Sequence, residues 1–434
     1  MLEPLFGPSR RAFLAAGLAG GLEAAVPVAR PGGTLWPALK EEMYRAALAI
    51  ATKHVRGGMS EPVFKRPFLD AAFSTNIFLW DSCFMCSYAK YHQDELPAAA
   101  ALDNFYALQE SDGYICREYT REGQPFWPKN HPVSINPPLL AFAELELHSV
   151  VPNVARLKRV YPGLKAFFQF IERRYRGPEG LFFGDALGSG MDNIPRYPPG
   201  WKDDGAGLPV PHDKLRSFWW DNLSCRWNRQ GRSVDLSAQM ALCALNLASI
   251  AMLVGATSDI PGYRRFHREM GEAVNRLCWD EETGFYHDLG HGEQIRRRHI
   301  GMYWALLADL VPPRRRQAFI AHLINQAQFW RTIPVATYPA DEPGYDPRGG
   351  YWLGGVWAPT NYMVIRGLAR SGAHGIAGRL AREYYRGVAE VFRETRTFWE
   401  NYAPDAFRQG QPARPDFCGW SAIAPITLYR EYDV

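Results

Sequence analysis

No long basic run occurs in the 434-residue sequence, and its formal net charge is only +4. Such a balance carries no electrostatic footprint for nucleic acid. Low-complexity tracts are missing, which removes the fibrous and disordered classes. Strand-type alternation of apolar and polar residues is scarce, which argues against a parallel-sheet α/β fold. The cysteines number seven, odd and scattered. Cys83 and Cys86 form a CxxC, but no second pair follows at zinc-like spacing. In DSCFMCSY they read as buried thiols on an apolar helix. His287 and His291 stand four apart in a Gly-rich loop and read as a polar turn, not a metal site. Neither a metal nor a cofactor is expected, and beyond the amino terminus no segment reads as a membrane span.

Aromatic residues are abundant: 14% of the chain, with 14 Trp and 21 Tyr. Many must fill a large core, yet flat rings also make walls for sugars. The amino terminus carries PSRRAFLAAGLAGGL, Pro8 to Leu22. Its apolar run is too short for the ~20 residues a bilayer span needs. Paired arginines before a short apolar stretch fit an export signal, and Ser9 to Leu14 resembles the twin-arginine type. Residues 1–29 are therefore expected to be a removable signal, with residues 30–434 as one periplasmic or secreted domain.

Apolar residues at three- and four-residue spacing predict twelve helices. They fall near 35–54, 80–91, 96–110, 137–150, 154–175, 234–254, 261–278, 298–308, 313–325, 356–370, 375–392 and 419–429. Long loops cover 177–234, 338–355 and 398–418, and loops of that length are usually functional. Twelve helices without an interdomain linker suggest six hairpins closed into an all-α toroid, its long loops forming a pocket at one end.

Two loops hold acids in unusual settings. Asp192 lies in GSGMDNIPR, between flexible glycines and a stiffening proline. Glu400 lies in FWENYAPD, between Trp399 and Tyr402, with Gly419-Trp420 to follow. One acid rarely does hydrolytic or proton-transfer chemistry alone, which makes the two a candidate pair. The two are 400 − 192 = 208 positions apart, so only a closed architecture can join them. Free carboxyl groups titrate near ~4, so an acid working near neutral pH needs desolvation, here by Met191 and aromatic walls. Arg196 would oppose that and is expected to point elsewhere.

SGMDNIPR resembles the general-acid loop of glycoside hydrolase family 63 and its trehalase-like relatives, and WENY resembles their general-base loop. GGYWLGGVWAPTNYMVIRGL, FLWDSCF, DGYICREY, NPPLLAFA and VDLSAQM are similar to further family stretches in the same order, from Phe78 to Trp420. The resemblance implies an (α/α)6 toroid, with Asp192 as general acid and Glu400 as general base. It implies that Trp80, Asp81, Trp352, Trp357 and Trp420 line a sugar subsite, and that Arg117, Glu118, Asn136 and Gly354 lie in contact with sugar or aglycone. Asn136 stands where relatives carry Gln, and Leu353 where many carry Arg; both bear on substrate identity. In size the chain is closest to the single-domain mannosylglycerate hydrolase type. The expected activity is inverting hydrolysis of a small α-linked glucoside or mannoside, with a small carbohydrate as partner and neither nucleic acid nor, in the mature form, membrane. A histidine-based sugar epimerase and a non-catalytic sugar-binding protein are the alternatives on the same toroid.

Overall fold

Two kinds of helix alternate along the chain. One kind is two-faced: in α7 (Ile260–Leu277) the buried residues are Ile260, Tyr263, Phe266, Met270, Ala273 and Val274, while the arginines face out. α1 (Leu35–Lys53), α3 (Ala98–Ala107), α5 (Val154–Tyr175), α9 (Pro313–Ile324) and α11 (His374–Thr395) share that character. The other kind is buried nearly all round, as in α2 (Leu79–Ala89), α4 (Leu140–Val150), α6 (Val234–Val254), α8 (Trp304–Leu307) and α10 (Ala358–Arg370). A one-faced helix covers a core, and a helix apolar on every side must sit inside one. The alternation thus dictates two layers before any contact is considered.

In this computed structural model the described residues are 35–434, without 59–62, 72–73, 128, 130–131, 185–186 and 197–230. The expected export signal, Cys225 and most of the expected loop 177–234 lie outside them. Within them, α2 packs on α4, α4 on α6, α6 on α8 and α8 on α10. The sixth inner position is a 3-10 turn (Ser421–Ile423) and a π turn (Ala424–Leu428) ending in α12 (Tyr429–Glu431). This run packs on both α10 and α2 and closes the ring. The odd-numbered helices form the outer layer, and the architecture is the (α/α)6 toroid.

All twelve expected helices occur, with two irregular. The eighth is a 3-10 turn (Ile300–Tyr303) followed by one turn of α8. The twelfth runs through a 3-10 turn and a π turn, with Pro425 near the start of the latter, before one short α turn. α6 is long and apolar enough by composition to cross a membrane, contrary to the sequence reading. Its 18-residue apolar window is 72% buried within the protein, because it is an inner-ring helix.

The carboxyl ends of the inner helices are joined to the outer layer by short turns, such as the one at Gly255, in the left-handed region at φ +81°. Beneath that end lies a buried ionic knot. Lys90 on α2 donates to Glu146 on α4 and to Glu431 on α12, each at 2.5 Å, and Arg366 on α10 reaches Glu146 at 2.9 Å. Burial opposes ionisation of Glu146, but Arg366 and Lys90 outweigh it and hold the carboxyl at about 2. Four inner elements are thereby tied together where the ring closes. The amino ends of the inner helices face the other way, under the long loops.

Candidate active site

The cavity at that end begins at the first turn of α2. Ile77–Phe78 pairs with Glu118–Tyr119, and Leu79 N–H donates to Arg117 O at 2.8 Å. This small ladder sets Arg117 beside Trp80 and Asp81. Asp81 is 5% exposed, and its Oδ1 is buried without a hydrogen-bond partner, as are Trp80 Nε1 and Trp352 Nε1. Burial pushes the Asp81 carboxyl well above its ordinary range; Glu400 and Asp192 push the same way, and Arg117 opposes. Buried polar atoms without partners are costly, and here they line one cavity.

The shape of the Asp192 turn has a steric cause. Gly190 lies at φ +81° against the face of Trp80, and a Cβ there would come within 3.1 Å of the indole. Arg117 Nη1 donates to Leu187 O, and Asn136 Nδ2 donates to Gly188 O at 3.1 Å. Met191 and Ile194 are buried on either side, leaving Asp192 half-buried at the cavity. Arg196 turns away from it, as expected. Its guanidinium is buried against Asp235 and Asp288, the latter at 2.9 Å.

Glu400 approaches from the loop before the twelfth helix. Its N–H donates to Arg414 O at 2.9 Å, and its own carbonyl accepts Trp420 Nε1–H at 2.9 Å. Tyr351 donates its phenol to Glu400 Oε1 at 3.0 Å. Burial raises the Glu400 carboxyl to about 7, against the Tyr351 bond and the Arg414 charge and with help from Asp192. Tyr351 keeps its proton, because burial and the charges of Glu400 and Asp192 all raise its pKa. Trp352 stacks on Trp357 with centroids 3.9 Å apart and planes 5° from parallel.

One cavity of about 200 Å³ brings together Asp192, Glu400, Trp80, Asp81, Arg117, Asn136, Trp352 and Trp420. It is smaller than the ~300–1,000 Å³ of drug-sized pockets and suits a single sugar ring. Among the described residues that line it there is no histidine. Three expected contacts do not line the cavity. Glu118 is a buried brace: Asn76 Nδ2 donates to one oxygen at 2.6 Å and Trp127 Nε1 to the other at 2.8 Å. Trp357 is fully buried behind Trp352, with its Nε1–H on Tyr351 O at 3.0 Å. Gly354, at φ +145°, makes room for the Tyr345 ring. His287 spends its ring on Thr283 Oγ1 at 3.2 Å. The six described cysteines are free, buried thiols.

Phe78, Tyr351 and Arg414 also line the cavity and were not singled out in the sequence. Tyr351 could have been found: it follows Gly349-Gly350, a flexible pair that permits a strained turn. Arg414 carries no local signal, since only the pairing of its carbonyl with Glu400 brings it there.

A ring of six helical hairpins, with carboxyl groups facing one aromatic cavity, defines the class of toroidal glycoside hydrolases. The family model for the mannosylglycerate hydrolase MGH1-like glycoside hydrolase domain matches residues 74–421. The chain belongs to that family, within glycoside hydrolase family 63. A mannosylglycerate hydrolase of Thermus thermophilus is 31% identical over 161 residues, 36% of each chain. One from Rubrobacter radiotolerans is 28% identical over 192 residues, 43% of this chain and 41% of that enzyme. A Borreliella burgdorferi protein without assigned function is 24% identical over 328 residues, 74% of this chain and 63% of its own. The chain thus spans less than two thirds of the length of these curated relatives. The crystal structure of a family 63 mannosylglycerate hydrolase from Thermus thermophilus superposes with a TM-score of 0.68 at 20% identity, over 88% of this chain and 99% of that one. Neutral trehalase from Saccharomyces cerevisiae gives 0.58 at 16% identity, over 84% and 73%. At such identities the likeness concerns the fold.

Proposed function

We propose that the protein is an inverting glycosidase acting on a small α-linked glucoside or mannoside, with Asp192 as general acid and Glu400 as general base. The observation that carries this reading is the meeting of the two acids in one aromatic cavity, with a tyrosine hydrogen-bonded to one of them. Asp192 gives its proton to the glycosidic oxygen as the bond to the anomeric carbon breaks. Glu400 takes a proton from water as the water oxygen bonds to that carbon from the opposite face. Tyr351 donates to the ionised form of Glu400 and orients its second oxygen. Asp81 and the indole N–H groups of Trp80 and Trp352 are placed to receive sugar hydroxyls. Relatives named as mannosylglycerate hydrolases, and a structural neighbour solved with glucose, support the choice of sugars. Arg117 and Arg414, cations among the described lining residues, would favour an anionic aglycone such as glycerate.

One observation favours a second reading with the roles exchanged. A carboxyl group with a pKa of about 7, as at Glu400, has the proton affinity suited to an acid. Glycosyl fluorides separate the two, because fluoride departs without protonation. Asp192→Asn should retain activity on α-mannosyl or α-glucosyl fluoride while losing it on α-mannosylglycerate, and Glu400→Gln should lose both. The opposite pattern exchanges the roles. Proton NMR should show the β-anomer first; the α-anomer first would remove inversion.

A further inference from the structure

Asn193 follows Asp192 in the chain, yet both ends of its carboxamide are spent on another loop. Nδ2 donates to Gly350 O at 3.0 Å, and Oδ1 accepts Trp352 N–H at 2.9 Å. The residue between those partners is Tyr351. Its φ is +66°, a left-handed conformation that strains a bulky side chain. The two bonds straddle that strained residue, and Trp357 Nε1 grips its carbonyl from the far side at 3.0 Å. So held, Tyr351 reaches Glu400 at 3.0 Å. The Asp192 loop does not depend on Asn193 for its own anchorage. Met191 and Ile194 are buried in the core, and Arg196 is bound to Asp235 and Asp288. The side chain is itself only 3% exposed, so water does not compete for its bonds.

We propose that Asn193 is a positioning residue that couples the two catalytic loops: it grips the turn at Tyr351, aims the phenol at Glu400, and so fixes that carboxylate relative to Asp192. The inference rests on the reading of Asp192 and Glu400 as the catalytic pair. Without the clamp, Tyr351 relaxes toward ordinary negative φ and its hydroxyl leaves Glu400. The charged and titratable groups facing Glu400 are Tyr351, Arg414 and Asp192, with Asp81 across the cavity. Burial and Asp192 favour the protonated form; Tyr351 and Arg414 favour the ionised form. Loss of the phenol contact leaves Arg414 as the counterweight among these groups, and the acidic limb of activity moves to higher pH.

The test compares Asn193→Ala, Asn193→Ser, Tyr351→Phe and Asn193→Ala with Tyr351→Phe, using α-mannosyl and α-glucosyl fluoride and following fluoride release. Each single variant is expected to lower kcat by on the order of 10–100-fold through misplacement of the reacting group. Each should also move the acidic limb of kcat/KM upward. The double variant should match Tyr351→Phe within about twofold, because the two changes break one chain of contacts. A loss of equal proportion at every pH, or effects that multiply in the double variant, would overturn the proposal. Asn193→Ser, too short to span both partners but polar, serves if the alanine variant does not fold. A crystal structure of either variant judges the coupling without any substrate: Tyr351 Oη should have left Glu400, and an intact contact rejects the idea. A Glu400→Gln enzyme active on both the fluorides and α-mannosylglycerate would instead remove the catalytic assignment, and the crystal structure would still decide whether Asn193 holds Tyr351.

Discussion

Replacing Glu400 with glutamine should stabilise the protein in mild alkali and do little near pH 5. Glu400 is 6% exposed, and burial lifts its carboxyl from the ordinary 4.5 to about 7. The folded protein therefore keeps a proton that the unfolded chain has already released. That contribution to stability is complete below pH 4.5 and is lost as pH rises through 7. At ~1.36 kcal/mol per pKa unit the whole effect is about 3 kcal/mol, and about 2.5 kcal/mol of it falls between pH 5 and pH 8. Glu400→Gln carries no charge at either pH and escapes the loss. Urea unfolding of the two proteins at pH 5 and pH 8 measures it: the variant should gain about 2–3 kcal/mol relative to wild type on going to pH 8. Parallel curves at both pH values would mean that Glu400 is not desolvated, and the account of its pKa would fail. The same ionisation governs activity. If Glu400 is the base, wild-type kcat/KM should rise with pH through about 7, and an acidic limb near 4 would contradict the assignment.

Lys90→Met should destabilise the protein by about 3–5 kcal/mol, the usual cost of breaking a buried ion pair, while kcat of the folded fraction stays unchanged; denaturant midpoints and active-site titration separate the two. Trp420→Phe keeps a ring in the wall but removes the donor to Glu400 O. It should cost ~1–3 kcal/mol for the orphaned carbonyl and also lower kcat; an unchanged kcat would leave Trp420 a core residue alone. Glu118→Gln sets an amide against one of two N–H donors, and should lower the melting temperature with KM unaltered; a raised KM without loss of stability would restore it as a substrate contact. Export is proposed from Ser9 to Leu14: changing Arg10 and Arg11 together to Lys should leave unprocessed protein in the cytoplasm, and wild-type levels outside the cytoplasm would reject the signal.

The helices and their two layers were legible in the sequence because burial repeats at the helical period. α7 declares one apolar face, and α6 declares apolar faces all round. The two acids were legible through their loops: glycines before Asp192, aromatics around Glu400. Glu118 and Trp357 were misplaced because residue type at a motif position does not say which way a side chain turns. Glu118 is held away by Asn76 and Trp127, while Arg117 beside it reaches the cavity. Trp352 and Trp357 differ because stacking hides whichever indole lies behind.

What the sequence determined by itself was local: helical period, turn chemistry, and the kinds of side chain each loop carries. What the tertiary structure decided was adjacency across long separations. Asp192 and Glu400, 208 positions apart by 400 − 192, meet because the run from Ser421 to Glu431 packs between α10 and α2 and closes the ring. The raised pKa of Glu400, the grip of Asn193 on the Tyr351 turn and the arrival of Arg414 all follow from that closure. Desolvation and hydrogen-bond geometry depend on what surrounds an atom in space, and no run of neighbouring residues encodes that.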